Sequence, residues 1–364
     1  NTNTETRYTT DGSDVVYNGW ASWVYFEEIL GRASRYKAFW WSPDSKKIAF
    51  MRFDDSKVPV FPIYNSKGQH GFLENTRYPK PGDKNPEVKT GIVTAGSTGI
   101  VWTDFDPKMD QYFGTPFWMA DSKSLWMQWM NRDQNTLIIY SVDPQSGSKN
   151  VIYEEKQNTW VDWFENMYFF KNGQGFILKS DKSGWGHFYY YGLEGNLKKQ
   201  LTSGSWRVSE LLMVDERAQE IYFTARQENS TRNDLYRVGL KGTEEAQRLT
   251  FGNYDHQISL APDGKHFITT YSNLTSPPKS ALMDTKGNII RGLADSRGLA
   301  YDSYKMPKTE LSYYQTRDGL ELPMTVILPL NFDPSKKYPV WISVYGGPDA
   351  GRVFDKWSNP LGQT

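Results

Sequence analysis

Five times along the chain a short polar turn is followed at once by a run in which apolar residues dominate. The clearest copies are Ser42-Pro43-Asp44-Ser45-Lys46-Lys47-Ile48-Ala49-Phe50 and Ala120-Asp121-Ser122-Lys123-Ser124-Leu125-Trp126. Looser ones are Asn172-Gly173-Gln174-Gly175-Phe176-Ile177, Glu216 to Phe223, and Pro262-Asp263-Gly264-Lys265-His266-Phe267. Anchored on Ile48, Leu125, Phe176, Ile221 and Phe267, the copies stand 77, 51, 45 and 46 residues apart. A second phrase keeps the same step: Gln200-Leu201-Thr202-Ser203-Gly204 and Arg248-Leu249-Thr250-Phe251-Gly252 lie 48 apart. Apolar runs bounded by turn residues predict short strands, and a period of about 40–50 residues holding several of them predicts four-stranded propeller blades. A β-sandwich would supply the strands but not a turn recurring at near-constant spacing. The expected fold is mainly all-β, with propeller blades over residues 1–305.

Two stretches break the repeat. Between about 55 and 89 the chain is rich in proline (Val58-Pro59-Val60-Phe61-Pro62, then Arg77-Tyr78-Pro79-Lys80-Pro81-Gly82). Proline is barred from central strands, so this reads as an extended arm leaving one blade. Its interleaved Val, Phe, Ile and Tyr suit packing on a second subunit, a homodimer contact; a mobile surface loop is the alternative. After residue 305 the pattern changes again. Leu311–Thr316 and Leu320–Leu328 predict a hairpin about Arg317-Asp318-Gly319. The run Val340-Trp341-Ile342-Ser343-Val344 has the near-continuous apolarity of a strand buried on both faces. Residues 306–364 thus read as the truncated start of an α/β domain.

Composition narrows the partners. Lys+Arg and Asp+Glu both total 42, so no net field draws the chain to nucleic acid or an anionic membrane. No apolar run is long enough to span a bilayer. The polar start Asn1-Thr2-Asn3-Thr4 carries no signal segment, so an exported protein would have its signal upstream. With no cysteine, disulfides and thiolate chemistry are excluded. The four histidines are scattered without metal-ligand spacing, and no nucleotide-binding glycine loop occurs, so no metal or cofactor is expected. Aromatics reach 15%, with 14 Trp and 23 Tyr, which suits side chains packed between sheets.

Two places carry residues suited to chemistry. In Trp23-Val24-Tyr25-Phe26-Glu27-Glu28 the positions of Trp23, Phe26 and Leu30 predict a short helix, about 20–31, with one apolar face. Adjacent glutamates on such a helix are most often solvated surface charge. The functional reading needs Glu27 and Glu28 to converge on one cation. Neighbouring side chains on an α-helix point about 100° apart, so convergence requires a helix end and long flexible arms. An α-ammonium, with three donors, suits two carboxylates. The second place is Tyr345-Gly346-Gly347-Pro348, just past the apolar run. Glycines there let backbone approach a ligand, and a tyrosine hydroxyl in such a loop can donate to an oxyanion. A plain strand-to-loop turn is the alternative. No Gly-x-Ser-x-Gly occurs anywhere, and Ser97 and Ser205, though beside glycines, lack the elbow pattern.

Taken in order, these segments resemble the dipeptidyl peptidase IV branch of the prolyl oligopeptidase serine peptidase family. Asn18-Gly19 through Glu28 is similar to its Asn-Gly…Asp-Trp-Val-Tyr-Glu-Glu-Glu motif, with Phe39-Trp40-Trp41-Ser42-Pro43 following. Tyr78-Pro79-Lys80-Pro81-Gly82-Asp83-Lys84-Asn85-Pro86 resembles the arm of that branch, and Ser183-Gly184-Trp185-Gly186-His187 and Leu201 to Trp206 resemble two later blades. Phe332 to Pro339 and Tyr345 to Pro348 resemble the entry to the α/β-hydrolase domain. Ser22 and Phe26 depart from the motif, standing where it has Asp and its first Glu.

The resemblance implies a bacterial, periplasmic or secreted serine exopeptidase, with a cytoplasmic place left open, that releases N-terminal dipeptides of the Xaa-Pro or Xaa-Ala type. Glu27 and Glu28 would bind the peptide's free amino terminus, Tyr345 would complete the oxyanion hole, and Trp163 and Asp162 would line the pocket wall. It also implies that the first blades and a substrate-binding arginine precede residue 1, and that the Ser, Asp and His of the triad follow Thr364. This chain alone would then be inactive. Alternatives are a tripeptidyl or acylaminoacyl peptidase of the same family, or a non-catalytic propeller that only binds.

Overall fold

The computed structural model describes residues 5–241, 245–347 and 351–357. Its strands form five antiparallel sheets of four or five strands in chain order and two separate two-stranded hairpins; the third, fourth and fifth sheets are simple meanders in which sequence neighbours pair. The chain divides into two compact units, the first mainly residues 1–167 and the second mainly 168–364.

The five turn-and-strand phrases have one structural counterpart. Ile48, Leu125, Phe176, Ile221 and Phe267 all stand at or next to the start of a long inner strand: Lys47–Asp54, Leu125–Asn131, Phe176–Ser180, Glu220–Ala225 and His266–Asn273. The turn ahead of each holds a left-handed residue: Ser45 (φ 57°), Ser122 (φ 59°), Gly173 (φ 71°), Gln219 (φ 58°) and Gly264 (φ 64°). That conformation reverses the chain tightly enough for an antiparallel partner, and Ser42, Asp121, Asn172, Asp215 and Asp263 support the turns through side-chain bonds to nearby N–H groups. The repeat is thus a repeat of turn chemistry.

The Leu-Thr-x-Gly phrase also has a physical role. The Thr202 hydroxyl accepts from the Phe188 N–H (3.0 Å) and meets His187 Nδ1 (3.0 Å). The Thr250 hydroxyl likewise accepts from the Leu235 N–H (3.2 Å) and donates to Asp234 (2.7 Å). In both sheets the threonine fastens the outer connection to the first residues of the strand beside it, so the phrase marks where a blade is tied off.

In the first unit, the inner strand Lys47–Asp54 pairs along one edge with Glu87–Thr94 and along the other with two short strands end to end, Val16–Asn18 and Phe39–Trp41. The second sheet repeats this plan: Gln111–Phe113 and Phe117–Trp118 share one edge of Leu125–Asn131. Between Lys47–Asp54 and Glu87–Thr94 the Pro-rich stretch forms a separate hairpin, Val60–Asn65 with Phe72–Arg77, in which Pro62 opposes Asn75. In a two-stranded ribbon both strands are edges, which is where proline is tolerated.

In the second unit the side-chain alternation of a strand is visible in the core. Ile221, Phe223 and Ala225 of the fourth sheet's inner strand pack with Ile177 and Phe188 of the third. Tyr222, between them in sequence, points the other way into a cluster with Phe267 and Met283 of the fifth. The fourth sheet is therefore buried on both faces by its neighbours, as a blade is. The fifth sheet ends at Asp295, and a hairpin follows, Thr309–Gln315 with Glu321–Ile327. The run Val340–Val344 differs from the expected buried strand. It has no ladder partner, and Val340, Trp341, Ile342 and Val344 are 79–91% exposed. An apolar strand is buried only between neighbours, and none of the described residues flanks this one.

Candidate functional site

The segment bearing the two glutamates is an excursion from the edge of the first sheet formed by Val16–Asn18 and Phe39–Trp41. The chain leaves the ladder at Gly19, whose φ of 69° turns it outward. It returns at Ala38, whose N–H donates to Gly19 O (3.0 Å). Met51 of the inner strand bonds to both ends, donating to Ala38 O and accepting from Gly19 N, each at 2.9 Å. The neck is closed by the Trp20–Lys37 bridge and by Ala21 N–H to Tyr36 O (2.8 Å).

Within the excursion the expected helix forms in an unexpected shape. Trp23 and Val24 begin an α-turn that widens over Tyr25–Ile29 into a π-turn, closed by Leu30 N–H to Tyr25 O at 2.7 Å. Its buried anchor is not the Trp23, Phe26 and Leu30 face but Tyr25, which is fully enclosed. The Tyr25 ring meets Phe53 edge-on at 4.8 Å, and its hydroxyl accepts from the Phe113 N–H of the second sheet at 3.1 Å. Burial holds this phenol protonated far above its ordinary range. An i→i+5 turn spreads more residues around the axis, so neighbouring side chains diverge by less than the ~100° of an α-helix. Glu27 and Glu28 are brought closer in direction by the distortion.

The two carboxylates differ in surroundings. Glu28 is exposed. Glu27 is 20% exposed; its Oε1 accepts from the Arg32 guanidinium, whereas its Oε2 is buried without a hydrogen-bond partner. A buried carboxylate oxygen left unpaired is costly and is met at sites that receive a donor. Beside it, Tyr36 stacks on Phe26 (3.8 Å between centroids) and on Trp20 (4.9 Å), and Trp23 contacts Tyr78 at the end of the arm (5.7 Å). Arg35 and Tyr36 both hold positive φ, 50° and 64°, a local strain sustained by this stacking.

Trp163 and Asp162 lie in the irregular connection between the second and third sheets. Trp163 is half-buried and Asp162 exposed. The Trp163 ring covers Gly114, where an added Cβ would come within 2.6 Å of Cε3. Gln128, buried in the inner strand, holds the next residue by both its amide groups: it donates to Phe164 O (3.1 Å) and accepts from Phe164 N–H (2.9 Å). Tyr25 thus bonds to Phe113, the last residue of a strand, and Trp163 rests on Gly114 just after it, so two consecutive residues support the glutamate helix and the Trp163 loop. Sequence reasoning did not single out Tyr25, Gly114, Gln128 or Arg32.

Tyr345 belongs to the second unit. It is 55% exposed, with the Arg352 guanidinium 4.7 Å from its ring centroid. Pro348 of the same motif lies outside the described residues. Among the described residues no group of three His, Asp or Glu side chains could hold a metal ion, and no helix is long and apolar enough to cross a membrane.

Residues 1–278 match the family model described as the dipeptidyl peptidase IV (DPP IV) N-terminal region. The chain belongs to the dipeptidyl peptidase IV N-terminal region family. Among its relatives, dipeptidyl peptidase 4 of the fungus Trichophyton rubrum is 31% identical over 379 residues, covering 97% of this chain and 47% of the relative. That of Trichophyton equinum is also 31% identical, covering 99% and 48%. The crystal structure of Porphyromonas gingivalis dipeptidyl peptidase 4 superposes with a TM-score of 0.85 at 28% identity, covering 98% of this chain and 50% of that one. The sheets described above are therefore β-propeller blades of the dipeptidyl peptidase IV type. The chain spans about half the length of the curated relatives it matches.

Proposed function

We propose that the full-length protein containing this chain is a serine exopeptidase that releases dipeptides, of the Xaa-Pro or Xaa-Ala type, from the free N-terminus of peptides. The observation that carries this reading is the unpaired, buried Oε2 of Glu27 beside the exposed carboxylate of Glu28. With Oε1 engaged by Arg32, the open oxygen and its neighbour present anionic acceptors to one incoming cation. A peptide ammonium supplies three N–H donors and a charge, and charge-assisted bonds of this kind are the strong ones. The surrounding Trp23, Phe26 and Tyr36 rings would exclude water and so strengthen that attraction. Trp163 and Asp162 form the neighbouring wall in this reading.

Tyr345 donates to the oxyanion formed when a serine outside residues 1–364 attacks the second peptide carbonyl; a histidine and an aspartate, also outside, carry the proton. Anchoring the ammonium far from the reacting carbonyl spends remote binding energy on positioning, which sets which bond breaks. Residues 1–364 alone hold no nucleophile elbow and are inactive in this reading. The hairpin of the arm pairs two copies of the protein, and the working place is the periplasm or outside the cell.

The test is hydrolysis of Gly-Pro-anilide by the full-length protein, beside its N-acetylated twin and a Glu27→Gln/Glu28→Gln variant. The free-amine substrate should be cleaved and the acetylated one not, with kcat/KM in the variant lower by about 10²-fold or more, since each charged bond contributes about 1.5–3 kcal/mol. Equal cleavage of both substrates would overturn the role of the glutamates.

A further inference from the structure

Among the described residues, the apolar run that leads to Tyr345 has no ladder partner and no backbone hydrogen bond holds 339–347. Gly347 lies against one edge of the ring, where it leaves no room for a Cβ, and the charged contact is Arg352, whose guanidinium lies 4.7 Å from the ring centroid. Arg352 in turn sits on a short irregular segment, 351–357, that is fastened firmly to loops of the fourth and fifth blades.

The fastening centres on Asp355, a buried residue. Its Oδ2 accepts from Arg232 Nε at 2.7 Å and its Oδ1 accepts from the Leu274 N–H at 3.0 Å. Its own N–H donates to Thr231 O at 3.0 Å. Two residues on, the Trp357 N–H donates to Ser272 Oγ at 3.1 Å. Arg232 is itself held from its far side, donating through Nη1 to Asn253 at 2.9 Å. A carboxylate with both oxygens engaged, one by a charged partner, is the kind of contact that fixes geometry as well as adding stability.

We propose that Arg352 is a positioning residue for Tyr345, and that the Asp355–Arg232 pair positions Arg352, so that the blades set where the phenol stands. This rests on the peptidase reading, in which Tyr345 donates to the oxyanion. A cation over an aromatic face restrains the ring without touching the hydroxyl, leaving it free to donate. Donor placement matters because a displacement of about 1 Å can cost on the order of 10²-fold in rate.

The test uses the full-length protein and Gly-Pro-anilide, with kcat and KM measured separately. Tyr345→Phe should lower kcat by about 10²–10³-fold. Arg352→Gln, on an exposed side chain, should lower kcat on the order of 10-fold with KM unchanged. Arg352→Lys, which keeps the cation, should recover most of that loss, and Arg232→Lys, which keeps the charge but not the Nε geometry, should fall between. In a Tyr345→Phe background, Arg352→Gln should add nothing. A wild-type kcat in Arg352→Gln, a loss that appears in KM, or a loss that multiplies fully with Tyr345→Phe would overturn the proposal. If the wild-type protein cleaves neither Gly-Pro-anilide nor its acetylated twin, the peptidase reading itself falls, and this proposal with it.

Discussion

Trp163 lies against Gly114 so closely that a Cβ on residue 114 would come within 2.6 Å of the ring's Cε3 and 3.0 Å of Cζ3. The glycine is required by that approach and not by its backbone conformation, since its φ is not among the positive ones. Gly114→Ala should therefore push the indole outward. Overpacking of this kind costs about 1–3 kcal/mol, read as a lower melting temperature of the chain. Displaced toward water, the indole should also change tryptophan emission, and in the full-length protein KM for Gly-Pro-anilide should rise. An unchanged melting curve and spectrum would show that the ring yields freely.

Gln128 offers a second test of the same wall. Its buried amide serves Thr115 O (3.2 Å), Phe164 O (3.1 Å) and Phe164 N–H (2.9 Å). Gln128→Leu keeps the approximate volume but leaves those backbone groups unpaired. Each buried orphan costs about 1–3 kcal/mol, so a loss on the order of 3 kcal/mol is expected in a denaturant titration. A loss below about 0.5 kcal/mol would mean that water replaces the amide.

Asp55 should make stability depend on pH. It is buried, accepts from Ser22 Oγ at 2.8 Å through Oδ2, and its Oδ1 has no hydrogen-bond partner. Burial pushes its pKa up to about 6, against the opposing Ser22 bond and Arg77 charge. In the unfolded chain an aspartate titrates near 4 (about 3.9). Between these values the folded chain binds the extra proton, so stability falls as pH rises from about 4 to about 6 and stays reduced above. A shift of about two units corresponds to an effect on the order of 3 kcal/mol. Asp55→Asn should therefore be more stable than the wild type at pH 7 and lose that advantage near pH 4. Parallel melting curves for the two proteins across that range would remove Asp55 from the account.

The arm hairpin bears directly opposed apolar side chains in the open: Tyr64 pairs with Leu73, and they are 66% and 62% exposed. With Val60 exposed on the same face by strand alternation, this face suits a second copy. Leu73→Glu combined with Tyr64→Asp should convert a dimer of the full-length protein to monomer in sedimentation or light scattering. If the wild type is monomeric at micromolar concentration, the arm has another use.

What was legible in the sequence was local. Ser45, Ser122, Gly173, Gln219 and Gly264 hold left-handed backbone in turns that a nearby Ser, Asp or Asn side chain supports, so the blade rhythm was legible in those polar turn residues. Thr202 and Thr250 repeat because each fastens the start of a neighbouring strand. The glutamate helix was legible as an element but not in its shape. Helical periodicity favoured Trp23, Phe26 and Leu30 as its inner face, whereas the bond from Phe113 to Tyr25, between residues 88 apart, makes Tyr25 the anchor. The same holds for Gln128 and Gly114, whose partners lie 36 and 49 residues downstream. Val340–Val344 shows the converse: apolarity states a strand's preference, but a ladder needs neighbours beside it.

The excursion from Gly19 to Ala38 has a consequence for how such a protein can change. Because Met51 bonds both ends and Ala38 donates to Gly19, the insert begins and ends at virtually the same point in space. Residues 26–37 can therefore lengthen or shorten while the strand pairings on either side keep their register. In the peptidase reading, Glu27 and Glu28 thus sit on a cassette carried by a fixed frame of strand pairings. A loop transplanted between Gly19 and Ala38 should keep the fold where it retains Ser22 and Tyr25, which tie the insert to Asp55 and Phe113.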